Sequence, residues 1–279
     1  MRSKCITELE TGQQEQQAEG FDGGELDPFK DEKTRIDEVQ DGIYRISTFA
    51  PMFGITFNQF LLKDEKPALI HTGPSQTYRE VESKIREVLD ISKLEYVILL
   101  HFEADEWGGM PFIDSSKVKL VCSKVGSGIN LSWWHDLPKR HIGVWENETI
   151  SLGRKKLRFL MTPHVHHWDS MMVFEETEKA LFPSDLFLQQ GNNEAVTNDV
   201  KLTQGMIEQY RNVGIFASEK PVRNILPKLE RLSSKMIHAM HGSSLDSSVQ
   251  KYFFDALRTQ NFAYINTLLF EKVPGYSSN

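Results

Sequence analysis

The 279-residue chain has only two cysteines, Cys5 and Cys122. So few thiols exclude a disulfide-stapled scaffold and a cysteine-rich structural zinc site, and both are read as free thiols in a reducing compartment. No run approaches the roughly 18 consecutive apolar residues that a membrane-spanning helix needs, so no membrane partner is expected. The N-terminal stretch MRSKCITELETGQQEQQAEG lacks the apolar core of a secretory signal, which leaves the cytoplasm as the expected location. A lysine and arginine stripe is also missing. With 32 basic against 39 acidic side chains and a net charge of -7, nucleic acid is not an expected partner. Internal repeats and low-complexity linkers are absent after residue 40.

What remains is an ordinary globular composition, 39% hydrophobic and 25% charged, enough for a full core. The first 40 residues carry 11 acidic and 5 basic side chains, so most of the net charge sits there. Residues 1–34, rich in Gln, Glu and Gly, are expected to form an acidic disordered tail, and residues 35–279 one domain. Within it GIYRISTFA, ITFNQFLLKD and PALIHTG alternate β-branched and aromatic residues and read as strands. TYREVESKIREVLDIS has the spacing of an amphipathic helix. LEYVILLHF is nearly all apolar, the pattern of a strand buried on both faces and ending at His101. KVKLVCS is a further strand, ENETISLGRKKLRFLMTP two strands joined at Gly153, and SMMVFEETEKALFPSD another pair. QGMIEQYRNVGIFAS, KPVRNILPKLERLSS and SVQKYFFDALRTQNFAYINTLLFE are helical by period, with a short strand in KMIHAMHGSS delivering His241. One α/β domain with mixed sheets follows.

Ligand-type residues collect after these strands. His101, Glu103 and Asp105 alternate in HFEADEW, followed at once by Glu106 and the Gly108-Gly109 turn. The segment reads as a loop wrapping a cation, because several ionisable groups beside a core are costly without one. The competing reading is a set of carboxylates capping a helix that begins near Gly108. His164, His166 and His167 follow LRFLMTP, Asp185 follows KALFPS, and His241 follows KMIHAM. Four apolar runs ending on such residues favour metal binding.

The pattern His101-x-Glu103-x-Asp105, then Thr162-Pro163-x-x-His166-x-x-Asp169-Ser170-Met171, then Leu181-Phe182-x-x-Asp185, then His241-Gly242, resembles the metallo-β-lactamase-fold di-iron proteins. Within them it is most similar to the oxygen-binding di-iron proteins and the catalytic domain of flavodiiron proteins, over residues 40 to 250. The resemblance implies an αββα sandwich of two mixed sheets with the metals at one edge. It further implies that His101, Glu103 and His166 hold one iron, that Asp105 and His241 hold the second, and that Asp185 bridges them. Zinc or manganese could occupy the same donors. Glu103 is the diagnostic position, since most hydrolases of this fold carry histidine there.

Two positions depart from that family. Glu106 stands where a histidine closes the pattern, which makes it either a further ligand or the mark of an open position on the second metal. His71 stands where aspartate is usual and is expected to orient a ligand. Glu106 and His167 are the candidate catalytic residues beside the six ligands. His164 and His167 fit the spacing less well than His166. Trp107, Trp168 and Phe53 are candidates for an apolar pocket wall or for the core, and His135, His141 and His238 read as structural or exposed.

The expected activity is that of a di-iron protein binding O2 or NO, as a sensor or as an oxidoreductase supplied with electrons by a separate donor or signalling protein. No flavin is expected in this chain, because no Gly-rich phosphate loop follows His241. The alternative is a dinuclear hydrolase of an ester, thioester or lactone, with metal-bound hydroxide as nucleophile. A fold that has lost its metals is the third reading. A homodimer is compatible with the resemblance. The loop Ala50 to Gly54 is expected to overhang the metals, its apolar content suiting a small uncharged ligand.

Overall fold

The computed structural model describes residues 27–114, 116–129 and 141–264. Cys5, His135, most of the proposed N-terminal tail and the distal part of the last expected helix lie outside the described residues.

The first sheet runs in sequence order through β1 (Arg35–Gln40), β2 (Ile43–Ala50), β3 (Ile55–Leu62), β4 (Ala68–Ile70), β5 (Tyr96–Ile98), β6 (Lys119–Ser123) and β7 (His141–Val144). β1 to β4 pair antiparallel, whereas β4 to β7 pair parallel. Parallel neighbours need a crossover, and α1 (Tyr78–Val88) supplies the one between β4 and β5. Its apolar residues Tyr78, Val81 and Ile85 are buried at helical spacing, Val81 and Ile85 among Leu61, Leu69, Val97 and Leu99 on the outer face of the sheet.

The second sheet has the order β12 (Val196–Thr197), β14 (Ser244–Asp246), β13 (Met236–His238), β11 (Ala180–Phe182), β10 (Met171–Glu175), β9 (Lys156–Met161) and β8 (Thr149–Ser151). Its outer face is covered by α4 (Leu202–Val213), α5 (Lys220–Arg231) and α6 (Ser247–Thr259), whose buried residues join Leu160, Met172, Leu181 and Ile237 in the largest apolar cluster. Between the sheets Phe60, Ile70 and Ile98 meet Phe159, Val173 and Phe182. Helix, sheet, sheet and helix are thus stacked around three apolar layers. This is the expected αββα sandwich, a metallo-β-lactamase-like fold.

Several details differ from the expectation. β1 was not foreseen, since RIDEVQ has no clean alternation and none of its residues is fully buried. Within residues 27–34, assigned to the tail, Phe29 is buried with Ala50, Ile55 and Phe57, its ring edge-on to Phe57 at 5.4 Å. α6 stops at Thr259 rather than running on, because Gln260 is extended. His241 does not end a strand. It lies in the turn between the antiparallel strands β13 and β14.

Candidate metal centre

Four of the candidate donors sit just past the end of a strand. His101 follows β5, His166 follows β9, Asp185 follows β11 and His241 follows β13. The HFEADEW segment is neither an extended strand nor a lead-in to a helix at Gly108. Glu103 is the extended N-cap of a single helical turn, α2 (Ala104–Trp107), and its carbonyl accepts from Glu106 and Trp107 N–H.

That turn is pressed against the first sheet through glycine. Gly109 donates to Gly73 O and to Thr72 Oγ1 at 3.0 Å each, and a Cβ there would stand 2.2 Å from Tyr78 Cδ2. Tyr78 is buried and cannot retreat freely. Gly109→Ala is therefore expected to cost about 2 kcal/mol, the usual scale of overpacking, read as a lower denaturant midpoint. An unchanged midpoint would show that the turn can move without loss.

The donors converge on Asp185, which is 4% exposed. Its Oδ2 lies 2.7 Å from His166 Nε2 and 3.2 Å from His101 Nε2, while Oδ1 lies 3.2 Å from His241 Nε2. Glu103 Oε2 is 3.2 Å from His101 Nε2 and 3.4 Å from His166 Nε2. Asp105 Oδ2 is 3.7 Å from His241 Nε2. Ligand atoms of His101, Glu103, His166 and Asp185 form one group within 4.8 Å, and those of Glu103, Asp105 and Glu106 form a second.

The imidazoles are held from behind. His101 Nδ1 is 2.9 Å from Ser184 Oγ, and His241 Nδ1 donates to Thr56 O at 2.9 Å. Such contacts leave Nε2 turned toward the cluster. The turn carrying His241 is itself clamped, because Asn58 Nδ2 donates to Ala239 O and Gly242 O, and Arg45 donates to Gly242 O.

Burial opposes charge on Asp185, yet His101, His166 and His241 outweigh it and hold the carboxyl well below the usual range. Burial likewise opposes charge on His101 and His241, and the surrounding carboxylates reverse this, raising both. Contact with His101 lowers Glu103. Asp105 is raised by burial and by Asp185 and Glu103, and Glu106 is raised further by burial and by Asp105, Asp185 and Glu103. Carboxylates are crowded here beyond what the imidazoles neutralise, an arrangement that a bound cation relieves.

Other sequence candidates lie around this cluster. His167 is in neither ligand group; its Nδ1 is hydrogen-bonded to Asp169 Oδ1, with its ring 5.6 Å from that of His101. His164 is exposed. His71 was expected to orient a ligand; its ring stands edge-on to that of His101 at 6.3 Å, but its nitrogens bond elsewhere. Its Nε2 accepts from Leu100 N–H at 3.2 Å and its Nδ1 meets Met240 Sδ, so it ties together the residues that precede His101 and His241. His238 is buried between Ser244 Oγ and Gln40 Oε1, and His141 is exposed. Trp107 packs on the outer core, and Trp168 leans on His167. Sequence reasoning missed Phe57, whose ring stands edge-on to that of His241 at 4.9 Å, and the clamp of Asn58 and Arg45. The polar residues of β2 and β3, buried where a strand core should be apolar, were the available signal.

Above the donors opens a cleft of about 600 Å³. Glu103, Asp105, His166, Asp185 and His241 form its floor, and Met52, Phe53, Ile55, Leu188, Val213 and Ile215 its walls. The Ala50 to Gly54 loop overhangs the donors as expected. Among the described residues no helix is long and apolar enough to cross a membrane.

A family model described as ODP family beta lactamase matches residues 55–242, more than half of the chain. The rubredoxin-oxygen oxidoreductase of Megalodesulfovibrio gigas is 31% identical over 174 residues, covering 60% of this chain and 42% of that protein. The anaerobic nitric oxide reductase flavorubredoxin of Pectobacterium carotovorum is 26% identical over 218 residues, 76% of this chain and 41% of that one. The solved structure of rubredoxin oxygen:oxidoreductase from Desulfovibrio gigas has the same fold, with a TM-score of 0.72 and 24% identity over 80% of this chain and 61% of that chain. This chain thus spans about two fifths of the length of the two curated relatives. With its αββα sandwich and its donors at the strand ends, it belongs to the ODP family of beta-lactamase-like proteins, as the resemblance in its motifs implied.

Proposed function

We propose that the protein holds two iron ions and binds O2 or NO at them, receiving electrons from a separate donor. The observation that carries this reading is Asp185, whose two oxygens face two different imidazole sets, His101 with His166 and His241 alone. A carboxylate placed so is suited to bridging a pair of cations. The donors fit such a pair. Asp185 Oδ1 and both oxygens of Glu106 are buried without a hydrogen-bond partner, and a set of imidazoles and carboxylates without thiolate suits iron, with zinc and manganese as competitors.

In this reading His101, Glu103 and His166 hold one ion, Asp105 and His241 the other, and Asp185 both. An iron pair supplies the redox electrons and open coordination that O2 or NO binding requires. The protein's own part is to orient the donors through Ser184 and Thr56, and to keep water from the floor with Phe53, Phe57, Leu188 and Ile215. The mostly apolar walls admit a small uncharged ligand and give a charged ester or phosphate little to hold it.

The test is metal content after anaerobic loading with Fe(II), with spectra before and after O2 or NO. Two irons per chain and a new visible band on gas exposure are expected. Retention of zinc alone, no spectral response and turnover of model esters would replace this reading with the hydrolase.

A further inference from the structure

The geometry points to Glu106 as a direct ligand of the metal pair, a fourth carboxylate beside Glu103, Asp105 and Asp185; this rests on the di-metal reading above. Its side chain is wholly buried, and its polar neighbours are the carboxyl of Asp105 and the ring of His101. The one ion-pair partner among the described residues is His101, whose Nε2 stands 3.3 Å from Oε1 and already faces Asp185 and Glu103. No lysine or arginine among the described residues comes within bridging distance of it. A buried carboxylate in that condition is held either by a proton shared with Asp105 or by a cation that takes the proton's place.

The direction of the side chain adds a second argument. Adjacent residues on a helical turn point away from each other. Asp105 and Glu106 are adjacent on α2, yet their oxygens fall in one group with that of Glu103, all within 4.8 Å. Three carboxylates brought this close repel one another unless they share a proton or a cation. The backbone of Glu106 is fixed in that pose, since its carbonyl accepts from both Thr72 N–H and Thr72 Oγ1.

Ligation by Glu106 also balances the charge of the site. Four carboxylates offset the four positive charges of two divalent ions, and the three histidines contribute neutral donors. Without Glu106 the loaded site would carry a net positive charge in a buried place. The consequence is a harder donor set that binds the second ion more tightly than a neutral side chain at this position would.

The test compares wild type with Glu106→Gln and Glu106→Asp by titrating metal-free protein with Zn(II), and anaerobically with Fe(II). In wild type two ions bind. In Glu106→Gln the first is expected to bind as before and the second at least about tenfold more weakly, the scale on which loss of a contact to a metal site is felt, with Glu106→Asp between them. Equal isotherms for both ions in wild type and Glu106→Gln would overturn the assignment while leaving the di-metal reading intact. Wild type that binds no metal would overturn both. Should the glutamine variant fail to fold, the zinc-loaded wild-type structure decides. Glu106 is a ligand if one of its oxygens lies about 2.0–2.2 Å from an ion, and is not if both lie beyond contact.

Discussion

Replacing Asp185 with asparagine is expected to empty the centre of both ions at once, with each binding more than about 100-fold more weakly, beyond the range seen when only a supporting contact is lost. The reason is geometric. Oδ2 faces His101 and His166 while Oδ1 faces His241, so its two oxygens reach both imidazole sets. Loss of Glu103 or Asp105 should by contrast weaken one ion more than the other. The variant also removes the anion that the three imidazoles surround. Because their carboxylate partner is buried, the metal-free protein should lose about 3 kcal/mol of unfolding free energy, the lower end for breaking a buried pair from one side. Metal content per folded chain, measured after removing unfolded material, separates the two effects. An Asp185→Asn protein that still carries two ions would dismiss the bridging role.

The second large effect concerns acid. Burial, helped by the charge of Arg45, pushes His238 down to about 3. An unfolded histidine takes up its proton near pH 6.5. Between those values the unfolded chain binds a proton that the native protein excludes, so stability rises with pH across that window. The contribution is complete above about pH 6.5 and is lost as pH falls toward 3. At about 1.4 kcal/mol per pH unit, His238 alone should account for a loss of about 3 kcal/mol between pH 7 and pH 4. His238→Gln keeps polar atoms for Gln40 and Ser244 and has nothing to titrate. Denaturant unfolding of metal-free wild type and variant at both pH values should show the steeper fall in wild type. Parallel pH dependence would mean that His238 is protonated in the native state. Asp185 adds to the same acid sensitivity in both proteins, because its carboxyl lies well below the usual range and its contribution also fades as pH falls.

Much of the centre is visible before any coordinates. The six proposed ligands come from four apolar runs that each end on histidine, glutamate or aspartate, and a run of that kind shows its C-terminal end in the sequence. The parts that could not be read are short or polar. β12 has two residues, β13 and β14 three each, too few to display a period, and their existence depends on partners far along the chain. β1 carries no alternation because it is an edge strand, half-exposed on both faces. The side-chain direction of Glu106 is likewise invisible: an HFEADEW string is compatible with an extended loop or a helical turn, and the choice is made by Thr72 and Gly73 from another strand end.

The sequence by itself determined which atoms can serve as donors, where along the chain they lie, and an α/β domain with mixed sheets, which the family resemblance of its motifs narrowed to the αββα class. Residue type and hydrophobic period are local properties, and they survive without a fold. The tertiary structure alone decided that Asp185 divides its oxygens between two imidazole sets, that His71 bonds to Leu100 N–H and Met240 instead of to a donor, and that Phe29 and Phe57 pack together beside His241. These are contacts between segments far apart in sequence, fixed when the two sheets close on their shared core. Until that closure nothing in the chain places one strand end against another.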